Sequence, residues 1–374
     1  MRRLACLVLA GWASTAAAQP GSGSWNAVPL GDLRVGIADV DITPRVGTPL
    51  AGYSGRGGPS TGIHDRLRAT AVVFDDGHTR AAIVAVDLLN LREADGQAIV
   101  AAIERTTSIP RSHVLLNASH THAAHSLGRG DRGRTELAAE LAPAGVIMNA
   151  VCHPNVMRSL NRQISADFVG LAKTFVQRSF GGGTVALYLQ GTTGDIRANL
   201  PSMDPADGFG RNGSEADLVW AGHGLGGQVV QVAAGLRVRE KVLQRKLQLP
   251  IIAAADVVEV TPDPKKVPGG GKLTLPIRAL AIGDFLFVSL PGEPVVEYGL
   301  GIEKDLAPLG KTIFVLGYGA GDVGYIPVDH MVDEGGLEAA GPFGHGSEGA
   351  IRAGVKALVT RMLGGGGAAA AKAP

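Results

Sequence analysis

HVLLNASHTH, residues 113–122, is the stretch from which the rest of this chain is read. Val114, Leu115 and Leu116 form an apolar run typical of a buried strand, and it leads straight into Ser119, His120, Thr121 and His122. Residues two apart on an extended chain face the same side, so both imidazoles face one cavity if the strand persists that far. Imidazole binds zinc through one ring nitrogen while a neighbouring group fixes the other. A His-x-His pair is equally compatible with surface or core histidines, so further ligands have to come from elsewhere in the chain.

Outward from this stretch, the same arrangement recurs. Asp87 follows the apolar run 81–86, His153 the run 145–151, Asp195 the run 184–189 and Glu293 the run 285–290, while Tyr325 lies one loop beyond 312–316. Residues 69–74 and 81–86 flank Asp75-Asp76-Gly77, a hairpin signal, and 273–282 with 285–290 flank Gly283-Asp284. A first strand is predicted over 33–40. Helical spacing is predicted over 93–106, 166–180, from about Gln228 after a glycine-rich patch that begins at Asp217, over 295–306 and over 347–363. The segment TPDPKKVPGGGK, 261–272, reads as loop. Strands alternating with helices but including hairpins predict an α/β fold: mixed β-sheet layers covered by helices, with a metal site at strand ends.

The 374 residues carry 35 basic and 34 acidic side chains with no dense Lys/Arg stripe, which argues against nucleic acid as a partner. Hydrophobic residues make up 45% and charged residues 18%, enough apolar material for a large core. Arg2 and Arg3, the apolar stretch 4–13 and Ala16-Ala17-Ala18 have the layout of a secretory signal peptide cut after Ala18. The expected organisation is a signal peptide over 1–18, a flexible lead over 19–33, a single folded domain over 34–363 and a low-complexity tail over 364–374. Cys6 leaves with the signal, so the secreted or periplasmic chain keeps only Cys152 and forms no internal disulfide. Cys152 reads as a small buried hydrophobe or a thiolate ligand.

Several segments together resemble the catalytic amino-terminal region of the neutral/alkaline non-lysosomal ceramidase family. They are VGIADVDITP (35–44), TGIHDRL (61–67), ASHTH (118–122), MNAVCHPNVM (148–157), NRQISADF (161–168), YLQGTTGDIRAN (188–199), SLPGEPVVEYG (289–299) and LGYGAGDVGYIP (316–327), in the family's order. The resemblance implies a secreted zinc amidohydrolase of ceramide or a related N-acyl amine. Its zinc ligands fall on His120, His153, Glu293 and Tyr325, with Asp322 as the alternative to Tyr325. The implied substrate is a small-molecule or lipid amide, with peripheral contact to membrane lipid and no protein partner evident.

Two departures from the family stand out. Where the family has Gly-Asp-Val-Ser-Pro-Asn this chain has Gly194-Asp195-Ile196-Arg197-Ala198-Asn199, which removes a serine and leaves metal-activated water as the route. Only 30 residues separate His122 from His153, a shortened segment. His122 is the expected proton carrier or oxyanion stabiliser, with a supporting hydrogen bond to a ligand as the other reading. Asp195 either orients a ligand or forms an Asx-turn, and Asp87 either supports a ligand or is a turn acid. Arg197 either clamps an anionic group of the substrate or lies on the surface. His64, in a matching segment, is a candidate for a secondary role near the cleft, and the other histidines read as solvated or packing residues. A metal hydrolase of another ester or amide, and a non-catalytic secreted binding protein that keeps the fold, stay open as alternatives.

Overall fold

The structure, a computed structural model, describes residues 6–10, 28–30, 33–127, 140–141, 144–181, 183–201, 212–235 and 249–364. The expected signal cleavage point after Ala18 and the tail beyond residue 364 lie outside these residues.

Period-two alternation builds the molecule. In the strand Arg80–Val86, Ala81, Ile83 and Ala85 face one apolar cluster while Ala82 and Val86 face another. The strand Val185–Gln190 does the same, with Val185, Leu187 and Leu189 on one side and Ala186 and Tyr188 on the other. So does Phe285–Pro291, with Phe287 opposed to Leu286, Val288 and Leu290. Strands apolar on both faces must be covered on both, which requires stacked layers. One central cluster receives Ile83, Leu115, Ile147, Leu187, Phe287 and Phe314 from three different sheets, so the sheets meet face to face there. Helices cover the outer faces. Each fully buried Val or Leu contributes about 1.5–3 kcal/mol, and a one-residue slip would move a whole face into the wrong layer, so register is strongly specified.

The six-stranded sheet runs Val28–Leu30, Leu33–Asp41, Arg68–Asp75, Arg80–Val86 and Val114–Ala118, with Glu140–Leu141 pairing onto Leu33–Asp41. A three-stranded sheet joins Cys6–Ala10, Ala144–Ala150 and Val185–Gln190, and a four-stranded sheet joins Ile251–Val260, Leu273–Ile282, Phe285–Pro291 and Thr312–Gly319. Arg80–Val86 with Val114–Ala118, Ala144–Ala150 with Val185–Gln190, and Phe285–Pro291 with Thr312–Gly319 are parallel pairs. Polar residues that follow these strands are therefore delivered to loops at carboxyl ends. The α/β expectation of mixed sheets covered by helices holds.

Three local expectations are corrected. The helix expected from about Gln228 spans Glu215–Gly235, so the glycine-rich patch lies inside it. Its glycines serve packing: a Cβ on Gly222 would stand 2.5 Å from Leu171 Cβ, and one on Gly226 would stand 2.9 Å from Phe175 Cβ. Only hydrogen at these positions lets the helix lie against its partner Asp167–Phe180. The strand Ile251–Val260 was not anticipated, because its outer residues Ala255, Asp256 and Val257 are exposed and blur the apolar run. The third correction concerns the His-x-His stretch itself. Its strand stops at Ala118, and His120 adopts a left-handed backbone with φ 65°.

Candidate metal centre

That turn, rather than strand pleat, decides where the two histidines point. Ser119 N–H donates to Val86 O and His120 N–H to Leu88 O, each at 2.9 Å, which anchors the turn to the end of the neighbouring strand. His122 N–H reaches Pro154 O at 3.3 Å and His153 N–H reaches Ile196 O at 2.8 Å, so three loops from three strand ends are tied together by backbone. The outcome is a triangle of ring nitrogens. His120 Nε2 lies 3.0 Å from His153 Nε2 and 3.2 Å from His122 Nε2, and the latter two are 2.9 Å apart.

The opposite ring nitrogens are all engaged. His120 Nδ1 meets Leu89 O at 2.6 Å, His122 Nδ1 meets Gly52 O at 3.2 Å and His153 Nδ1 meets Thr193 O at 3.2 Å. A carbonyl can only accept, so each Nδ1 carries a proton, and in a neutral ring this leaves Nε2 as a lone pair facing the centre. Burial, followed by the charge of the neighbouring imidazoles, holds His122 and His153 well below the usual histidine range, so neither is protonated at neutral pH. Three lone pairs aimed at one point repel unless a cation lies between them. Ligands held tetrahedrally at about 2.0–2.1 Å stand about 3.3 Å apart, close to the observed triangle.

The carboxylate of Glu293 closes the set. Its Oε2 lies 3.0 Å from His120 Nε2, is shielded from water and accepts no hydrogen bond. Glu293 reaches this place through Pro291-Gly292, where Gly292 takes φ 59° and its backbone passes so close to Gly324 that a Cβ would stand 2.6 Å from Gly324 O. A water-shielded carboxylate oxygen with no hydrogen-bond partner, beside three imidazole nitrogens, offers enough donors for a divalent metal with one imidazole over for proton transfer, so the residues present fit one. His120, His122 and His153 form a group able to hold a metal ion.

The remaining sequence-named residues fall in different places. Tyr325 is the strand partner of Glu293 in a two-residue parallel pair, so its half-buried ring flanks that carboxylate, and burial together with Glu293 raises its phenol. Asp322 is exposed, bonded to Asn90 Nδ2 at 2.5 Å and to Gly324 N–H at 3.2 Å, the pattern of a turn residue. Asp195 accepts from Val296 N–H at 2.7 Å, at the first residue of the helix that follows Glu293, so it ties that segment to its own loop. Asp87 belongs to a buried ion pair, with Lys173 Nζ at 2.5 Å. His64 bridges Asp65 and Glu215 at 2.8 Å each, joining its loop to the start of the Glu215–Gly235 helix. The thiol of Cys152 is pushed up to about 12 by burial, so it is a neutral S–H and no thiolate ligand.

Other contacts around the triangle were not singled out in the sequence. Tyr318 is fully buried with its ring 4.2 Å from that of His120, and its hydroxyl shares a 2.7 Å hydrogen bond with Thr193. Tyr53 places its ring 4.9 Å from that of His122. Arg56 donates to His122 O at 2.5 Å and to Asn161 O. Asp167 accepts backbone N–H groups of Val156 and Met157, which fixes the loop that carries His153. The YGAGD run around Tyr318 was the one available signal, and it read as loop because glycine masks the end of that strand.

Sheets stacked under helices, with three imidazoles and a carboxylate gathered at strand ends, define an α/β protein with a candidate metal centre. Residues 33–128 match the family model described as neutral/alkaline non-lysosomal ceramidase, N-terminal, the family that the sequence segments resemble. The matched part contains His120 and His122 and ends before His153 and Glu293. Among solved structures, the chain is similar to the crystal structure of neutral ceramidase from Pseudomonas aeruginosa: TM-score 0.68 and 16% identity over 91% of this chain and 76% of that one. A second similar structure is a ceramidase complexed with C2, with TM-score 0.67 and 15% identity over 91% of this chain and 77% of that one. At these identities the likeness is one of fold, so the chain has the neutral ceramidase fold over about three quarters of the solved chains' length. Curated proteins give no match.

Proposed function

We propose that this chain is a secreted or periplasmic zinc hydrolase that cleaves the amide bond of ceramide or a related N-acyl amine. The observation that carries the reading is the convergence of three imidazole Nε2 atoms and the unpartnered Glu293 Oε2. His120, His153, Glu293 and Tyr325 would hold the ion. Bound zinc supplies Lewis-acid polarisation of a carbonyl and a water acidic enough to ionise near neutral pH.

The chain's own groups handle the rest. His122 is the half-buried member of the triangle, whereas His120 and His153 are buried. It takes the proton of the attacking water and returns it to the departing amine, while the Nδ1–H bond to Gly52 O fixes the tautomer. Tyr325, the strand partner of Glu293, stands where its phenol oxygen would complete the ligand set. Asp195 positions the Glu293 segment through Val296 N–H.

Metal analysis combined with an amide panel tests the reading. The expected result is one zinc per chain, amine release from N-acyl substrates, loss of release on chelation and its return with added zinc. Absence of zinc from the purified protein, with no effect of His120→Ala on any hydrolysis, would favour a binding protein that keeps the fold. Amino-terminal sequencing of the exported chain checks cleavage after Ala18. Among the described residues no helix is long and apolar enough to cross a membrane, so lipid contact would be peripheral.

A further inference from the structure

Arg197 occupies a position from which it addresses the substrate. His153 and Arg197 are paired as neighbours in an isolated parallel bridge, so their side chains leave the backbone on the same side, about one strand spacing (about 4.8 Å) apart. The side chain of His153 points into the metal centre, and that of Arg197 runs beside it. Its charge is felt by Tyr53, His153 and Tyr325 alike, the groups that surround the centre. Among the described residues no carboxylate pairs with the half-buried Arg197. Close by, Tyr53 Oη is shielded from water and has no hydrogen-bond partner. Arg56, which packs 5.3 Å from the Tyr53 ring, is already committed to backbone carbonyls and leaves that hydroxyl unused.

A cation without a counter-charge and a hydroxyl without a partner, both beside the reacting centre, are complementary to an anion brought by the ligand. We propose that the substrate is an N-acyl amino acid, whose carboxylate is clamped by Arg197 with Tyr53 as a second donor. This rests on the amide-hydrolase reading above. Proximity selects the class: the Arg197 backbone is one strand spacing from that of His153, and the carboxylate of an N-acyl amino acid is separated from the scissile carbonyl carbon only by the nitrogen and one carbon. The amine half of ceramide presents uncharged hydroxyls there, which cannot neutralise a guanidinium. In the reaction water adds across the amide: the C–N bond breaks, the hydroxyl goes to the acyl carbon and a proton to the nitrogen, giving a fatty acid and a free amino acid.

The test compares N-lauroylglycine with N-lauroylglycinamide, identical but for the charge, on the zinc-loaded full chain and on Arg197→Ser and Arg197→Lys. The expected result is a kcat/KM ratio of at least tenfold in favour of the carboxylate. That ratio collapses toward one in Arg197→Ser and is partly kept in Arg197→Lys. Calorimetric titration of the same two compounds into metal-free protein gives a second readout, with at least tenfold tighter binding of the carboxylate that Arg197→Ser abolishes. Equal turnover of both compounds by the wild type, or an equal loss on both in Arg197→Ser, overturns the clamp and leaves the amidohydrolase standing. No turnover of either compound or of short-chain ceramide, with zinc bound, overturns the hydrolase reading itself. Preferential carboxylate binding would then mark an anion-binding protein.

Discussion

Glu293 Oε2 and His120 Nε2 stand 3.0 Å apart, and the buried carboxylate oxygen accepts no hydrogen bond. His120 Nδ1 donates to Leu89 O at 2.6 Å, so in the metal-binding form of the ring both facing atoms are lone-pair donors. Such a contact is unfavourable in the bare protein and favourable around a cation, which makes its removal act with opposite sign on the two states. Glu293→Gln is expected to lower zinc affinity at least tenfold in chelator competition. The melting temperature of the metal-free protein is expected to stay level or rise. A fall in the metal-free melting temperature would show that Glu293 serves folding instead.

Asp167 shapes the metal centre without touching it. Its Oδ1 accepts from Val156 and Phe168 N–H and its Oδ2 from Met157 N–H, at 3.2, 2.8 and 3.3 Å. Its backbone is left-handed with φ 55°, a conformation that asparagine also tolerates. Asp167→Asn therefore leaves the turn unstrained but sets an amide NH2 against an N–H donor. A loss of about 1–3 kcal/mol in urea unfolding, together with weaker zinc binding through His153, is the expected result. Unchanged stability would show that these long hydrogen bonds are energetically idle.

His64 gives a pH dependence. Its hydrogen bond to Asp65, reinforced by Glu215, raises it to about 9 from an ordinary 6.5. A histidine whose folded pKa lies above its unfolded one contributes stability fully present below pH 6.5 and lost as pH rises through about 9. The melting temperature of the wild type should thus fall more steeply between these values than that of His64→Gln. Parallel curves would mean that the bridge contributes nothing.

The helix Glu215–Gly235 carries two glycines for which the same substitution has opposite consequences. Gly224 has nothing within 4 Å of an added Cβ, so Gly224→Ala should stabilise by about 0.5–1 kcal/mol through helix propensity. At Gly222 the added carbon would stand 2.5 Å from Leu171 Cβ and 3.0 Å from Phe168 O. Gly222→Ala should therefore destabilise by about 1–3 kcal/mol, and denaturant midpoints of the two variants separate the cases.

The layered α/β architecture was legible because alternation such as that of residues 81–86 states which side chains face which layer, and it needs no partner to be read. The placing of His120, His153 and Glu293 after strand ends was legible for the same local reason. What the linear pattern could not hold was convergence. His122 enters the triangle because His120 takes a left-handed turn anchored on Leu88 O, and Asp87 leaves it because Lys173, far away along the chain, offers a closer charge. Asp195, likewise, is drawn to Val296 N–H. Periodicity fixes the direction in which a side chain leaves its own strand. Which loops then meet is decided by three sheets packing on a common core, through contacts between residues more than a hundred positions apart.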